Sequence, residues 1–157
     1  MTDELANAVD YPLFVVTACA QGEVSGCVAG FVTQSSITPV RFLVCVSKVN
    51  HTFGVAERGG HLGLHLLGSG QGALASLFGE ESGDTVDKFA QVSWSSGVTG
   101  VPILASCAAW LEGPIIDQHS AGDHEAYLVA ARAGGLGSET GQFMSRQAAG
   151  FEPGHPA

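Results

Sequence analysis

Three apolar runs follow one another between Tyr11 and Ser47: Leu13–Cys19, Val24–Val32 and Arg41–Ser47, separated by Gln21-Gly22 and by the polar stretch Gln34–Pro39. They are rich in Val, Phe and Thr and bounded by turn residues, the pattern of antiparallel strands. The polar stretch Lys48–Thr52 leads into Phe53–Arg58, which reads as one or two helical turns. His61–Leu67 alternates as a strand, with Leu62, Leu64 and Leu66 on one face and His61, Gly63 and His65 on the other, so its second face is not ordinary core. Leu74, Leu77 and Phe78 stand at helical spacing within Gln71–Glu80, and Val86, Phe89 and Ala90 do the same within Asp84–Ala90, predicting two short helices. After the turn Ser95–Gly100 come three further apolar segments, Ile103–Leu111, Pro114–His119 and His124–Ala131. Six or seven strands with a helical interruption in the middle of the chain predict a mainly β, single antiparallel barrel with helices at one end.

A chain of 157 residues with 45% apolar and 13% charged residues can bury one core and is too short for two ordinary domains. The expected division is a tail over 1–10, one domain over 11–133 and a C-terminal segment over 134–157 that lies on it. Met1–Asp10 has no basic run before the first apolar stretch, and no apolar run is long enough to span a bilayer, so neither export nor a membrane partner is expected. Cys19, Cys27, Cys45 and Cys107 are scattered through strand-like contexts without CxxC spacing, which points to reduced thiols in a cytoplasmic protein. With a net charge of −9, a nucleic-acid surface would have to be built against the overall field, and nucleic acid is not an expected partner. An anionic small cofactor needs only one or two local cations and a few backbone N–H donors.

Gly68-Ser69-Gly70-Gln71-Gly72-Ala73 fits G-x-G-x-x-A between a strand and a helix, but no second parallel strand follows, so it reads as a glycine-rich turn and not as a dinucleotide fingerprint. His61 and His65 are four apart on a strand, without the register of a helical metal site, and no metal is expected there. Asp117, His119, Asp123 and His124 cluster near a turn, as metal ligands or as a proton relay, and His124 at the mouth of a strand is the candidate of most interest. There is no G-x-S-x-G elbow and no cysteine with a neighbouring histidine, so nucleophilic catalysis lacks its usual handle. Two polar turns stand out. Thr33-Gln34-Ser35-Ser36 supplies hydroxyls and an amide beyond an apolar strand, and Ser47-Lys48-Val49-Asn50-His51-Thr52 adds a cation immediately before a short helix. They serve either as a grip on a phosphate and the polar edge of a flat ring, or simply as turns with a capping Asn or Thr.

Ordered blocks from about Tyr11 to about Val129 resemble the flavin reductase-like, FMN-binding split-barrel family. They are YPLFVVTA, VSGCVAGFVTQSSITPVRFLVCVSK, NHTFGVAERGGHLGLHLLGSGQGALASLFG, DTVDKFAQVSW, GVPILASCAAWLEG and GDHEAYLV. The resemblance implies a split β-barrel of Greek-key type, a homodimer with the flavin near the subunit interface, and reduction of FMN, or alternatively FAD, by NADH or NADPH. It further implies that flavin runs along Val32, Thr33, Gln34, Ser35 and Ser36, with its phosphate at Lys48, Asn50, His51 and Thr52. His65, Lys88 and Phe89 would line the ring or the ribityl chain, and His124 would act as the catalytic residue at the nicotinamide. Hydride transfer needs little acid–base chemistry from the protein, which suits a chain without a catalytic triad. A partner monooxygenase would consume the reduced flavin. The alternative on the same fold is a tightly flavin-binding electron carrier or sensor without reductase turnover. Two departures from the family pattern are Gly30 and Phe31, where polar residues are usual, and a C-terminus without the usual aromatic ending.

Overall fold

The computed structural model describes residues 2–80 and 87–150, so the first half of the expected Asp84–Ala90 helix and the last residues of the tail lie outside the described residues. Among the described residues ten strands carry the fold: β1 Phe14–Ala20, β2 Glu23–Ala29, β3 Val32–Ser36, β4 Arg41–Ser47, β5 His61–Leu66, β6 Trp94–Ser96, β7 Pro102–Leu104, β8 Ala109–Ser120, β9 His124–Ala130 and β10 Ala133–Leu136. Three α-helices accompany them, α1 Glu4–Ala8, α2 His51–Gly59 and α3 Gly72–Glu80, with a 3-10 turn at Lys88–Gln91 and another at Ser145–Ala148. Eight strands form one curled antiparallel sheet in the order β2-β1-β5-β8-β9-β4-β3, with β10 on β8, while β6 and β7 form a separate hairpin. This is the mainly β barrel architecture that the hydrophobic pattern predicts.

Local chemistry explains the edges of these elements. Gln21 and Gly22 both have positive φ, 53° and 83°, and join β1 to β2 with Ala20 opposite Glu23, the two-residue hairpin whose twist matches that of the strands. The side chain of Asn50 accepts from Thr52 N–H at 2.9 Å and so starts α2 two residues earlier than Phe53, and Gly60 at φ 76° ends it.

Several boundaries differ from the sequence reading. The run Val24–Val32 is interrupted at Gly30-Phe31, and the polar stretch after it is itself strand β3, paired only with β4. An edge strand satisfies half its backbone groups in the ladder and the rest in water, so it needs no apolar residues to form. Ala109–Leu111 and Pro114–His119 are one long strand, β8, which pairs with β5 through Pro114 and with β9 from Ile115, shifting register between Ile115 and Asp117. The turn at Ser95–Gly100 contains the end of β6, α1 lies within the expected N-terminal tail, and β10, Ala133–Leu136, crosses the expected boundary at 133/134.

Two cores flank the sheet. Inside the curl, Val16, Val44, Val46, Leu62, Leu64, Tyr127 and Val129 pack with Val55 and Ala56 of α2. Outside it, Leu13, Val15, Leu67, Phe78, Phe89, Leu104 and Phe143 form a second cluster beneath α3. The Gly63 face of β5 meets this second layer: a Cβ there would press on the Thr17 hydroxyl and lie 3.2 Å from Val101 and 3.3 Å from the Pro102 carbonyl. The Thr17 hydroxyl donates to that same carbonyl at 2.7 Å.

Candidate functional site

The sheet does not close between β2 and β4, and a cleft of about 320 Å3 occupies the gap. Residues 27–31, at the end of β2 and the turn after it, form one wall, and Cys45, Val46 and Ser47 of β4 form the other. Asn50 and His124 border its polar side, and Tyr11 and Ser145 complete it. The turn is tied across the gap, because the Cys45 N–H donates to the Phe31 carbonyl at 3.0 Å. Phe31 is 48% exposed, and its ring meets Tyr11 edge-on at 5.3 Å and His124 at 5.2 Å between centroids.

Tyr11 and Ser145 meet because the two ends of the domain are clasped. Tyr11 N–H donates to the Ser145 hydroxyl at 2.9 Å, Ser145 N–H donates to the Tyr11 carbonyl at 2.7 Å, and the Ser145 hydroxyl donates to Asp10 at 2.9 Å. Arg146 N–H also donates to Asp10, which holds that carboxyl below its ordinary range.

His124 opens β9 beside Ser47, and its Nδ1 lies 2.7 Å from the Asp123 carboxylate. An ionised carboxylate only accepts, so Nδ1 carries the proton in this contact and Nε2 is left for other work. The imidazole lowers the Asp123 carboxyl below its usual range. Lys48 sits beside this pair: its amine bonds the Ser120 hydroxyl, and its N–H donates to the Asp123 carbonyl at 3.0 Å. Ser47, Asn50 and His124 thus line one end of the cleft, and Lys48, outside the lining, joins them through the Asp123 carbonyl.

Other expected site residues are placed elsewhere. Thr33, Gln34 and Ser35 lie exposed on edge strand β3, flanked by half-buried Val32 and Ser36, and none of the five lines the cleft. His51 turns to Glu23 at 2.6 Å, which also takes Arg58 at 2.6 Å, and both bonds lower the Glu23 carboxyl. Thr52 is fully buried against the Ser25 hydroxyl at 2.8 Å. His65, Lys88 and Phe89 are in the interior on the second-core side. The fully buried His65 places Nδ1 3.0 Å from the Val15 carbonyl and accepts from Leu104 N–H at 3.1 Å, and burial pushes its pKa down to about 4. The Lys88 amine donates to the carbonyls of Phe78 at 3.0 Å and Gly26 at 3.2 Å, under the Phe78 ring. Among the described residues no group of three or more His, Cys, Asp or Glu side chains gathers to hold a metal. Sequence reasoning missed Tyr11 and Ser145, whose contact spans 134 positions and leaves no local trace.

The sequence model of the flavin reductase-like domain matches residues 6–149. The chain belongs to this family. As a flavin reductase-like domain it is 31% identical over 143 residues to a probable flavin reductase of Rhizobium meliloti, covering 87% of this chain and 45% of that protein. It is 29% identical over 129 residues to an FMN reductase (NADH), RutF 1, of Methylorubrum extorquens, covering 82% of this chain and 62% of the relative. The chain therefore spans roughly half to three-fifths of the length of these curated relatives. Among solved structures, an FMN-binding protein from Thermus thermophilus with bound p-hydroxybenzaldehyde superimposes with a TM-score of 0.78 at 27% identity, covering 83% of this chain and 74% of that one. No helix among the described residues is long and apolar enough to cross a membrane.

Proposed function

We propose that this flavin reductase-like domain binds a flavin, FMN or alternatively FAD, in the cleft between β2 and β4 and passes hydride to it from NADH or NADPH. The observation that carries this reading is the character of the cleft in a chain of this family: apolar and aromatic at Val28–Phe31 and Tyr11, polar where Ser47, Asn50 and His124 meet, with Lys48 adjoining that end through Asp123. A volume of about 320 Å3 is at the small end for ligand pockets and suits a ring system with its phosphate chain running out over the rim. Bound there, a flavin supplies the electron-accepting ring that the protein lacks. Lys48 and the Asn50 turn hold the phosphate, while the exposed side chains of Thr33, Gln34 and Ser35 and the half-buried Ser36, in the strand that begins just after Phe31, offer hydrogen bonds along the chain. His124, with Nδ1 committed to Asp123, presents Nε2 to the nicotinamide carboxamide.

The apolar groove at the open end of the barrel, lined by Pro12, Phe14, Phe42, Leu64, Leu66 and Trp110, is the surface on which a second copy would dock to give a homodimer. An open cleft also lets reduced flavin leave for a partner oxygenase. A second reading draws on the likeness to the FMN-binding protein of Thermus thermophilus: flavin held tightly, as a carrier or sensor, without turnover. One experiment separates the two. The visible spectrum of the purified protein is recorded, then NADH and NADPH are added aerobically with excess FMN or FAD and nucleotide oxidation is followed. Flavin-dependent oxidation is expected. A yellow protein that ignores both nucleotides favours the second reading, and a protein that binds no flavin overturns both.

A further inference from the structure

Phe31 is the one large apolar side chain of the cleft that is nearly half exposed, at 48%, among the described residues. Its backbone is fixed on both sides: the carbonyl accepts from Cys45 N–H at 3.0 Å, and the next residue, Val32, pairs with Val44. Its ring is oriented by two others, edge-on to Tyr11 and tilted against His124. The preceding Gly30 packs closely, since a Cβ there would lie 3.3 Å from Leu13 and 3.7 Å from Tyr11, so the turn is backed by side chains at this point. An aromatic ring held in this way, with area still open to the cleft, is preorganised to lie against another flat ring, and covering it removes apolar surface from water in addition to any stacking attraction.

We propose that Phe31 is a stacking shelf for the isoalloxazine ring, and thus a specificity-determining residue for flat conjugated ligands. This rests on the flavin reading above. The shelf acts on the ring alone, whereas Lys48 acts on the phosphate, so the two contributions separate with ligands that differ only in the phosphate. Wild type, Phe31→Ala, Phe31→Trp and Lys48→Ala are titrated with FMN and with riboflavin, following flavin fluorescence, after thermal melts show that the variants fold.

Phe31→Ala is expected to weaken FMN and riboflavin by the same factor, about tenfold, on the scale of a single ring–ring stack. Phe31→Trp retains both affinities, and the emission of the introduced indole is quenched as flavin binds. Lys48→Ala weakens FMN and leaves riboflavin unchanged. Undiminished affinity of Phe31→Ala for both ligands, or a loss confined to FMN, overturns the shelf while leaving the flavin reading intact. If wild type binds neither ligand, the flavin reading itself fails and the shelf falls with it.

Discussion

At His65 the ring is neutral in the fold, because Nδ1–H donates to a carbonyl and Nε2 accepts an amide, an arrangement that a second ring proton would break. Burial takes its pKa from 6.5 down to about 4. Between those values the unfolded chain holds a proton there that the native chain does not, so unfolding takes up a proton and stability falls as pH drops. The full difference, about 3 kcal/mol, is reached near pH 4. Urea unfolding at pH 7 and pH 4.5 should therefore show a loss that is smaller in His65→Gln; an equal loss in both proteins would remove His65 as its source. Asp10, Glu23 and Asp123, all lowered, add losses of the same sign further down the carboxylate range. The sequence shows that the His61, Gly63 and His65 face is unusual, yet not why. Its partner is the β6–β7 hairpin, some forty positions later, and alternation along a strand says which residues share a face but not what covers it.

Among the elements, β8 joins the two halves of the sheet, bonding β5 and β10 with its first part and β9 with its second. The crossing point is Gly113, where a Cβ would run into the Ala130 carbonyl and lie 3.2 Å from the Arg132 nitrogen. Both obstacles are backbone, which cannot rotate aside as a side chain can. Gly113→Ala should cost about 2 kcal/mol or more in a denaturant titration; a cost near zero would mean that the strands separate easily there. The sequence divides this strand in two, because Gly113-Pro114 is ordinarily turn chemistry. In the structure the same pair lies inside the strand, where the pairing passes from β5 to β9. By contrast β1, β4, β5 and β9 lie within a residue or two of the apolar runs, since a strand buried on its inner face advertises itself by hydrophobicity. The exposed β3 has no such signature.

For the whole molecule, the candidate site was legible in part: the Lys48–Asn50 turn and His124 stand out as polar groups beside apolar runs, whereas Tyr11, Ser145 and the cleft itself exist only once distant segments meet. The clasp of Asp10 and Tyr11 to Ser145 and Arg146 has a thermodynamic consequence for that wall. It closes a loop of well over a hundred residues, yet beyond the buried Leu13–Phe143 pair it is held by a few part-buried or exposed hydrogen bonds, so its outer end should open locally without global unfolding. In deuterium-exchange measurements the Tyr11 and Ser145 amides should lose their protons well before those of Val16 and Leu64, which pair in the middle of the sheet. Any ligand that seats against Tyr11 should slow the first pair and leave the second unchanged, making the joined ends of the domain a reporter of occupancy.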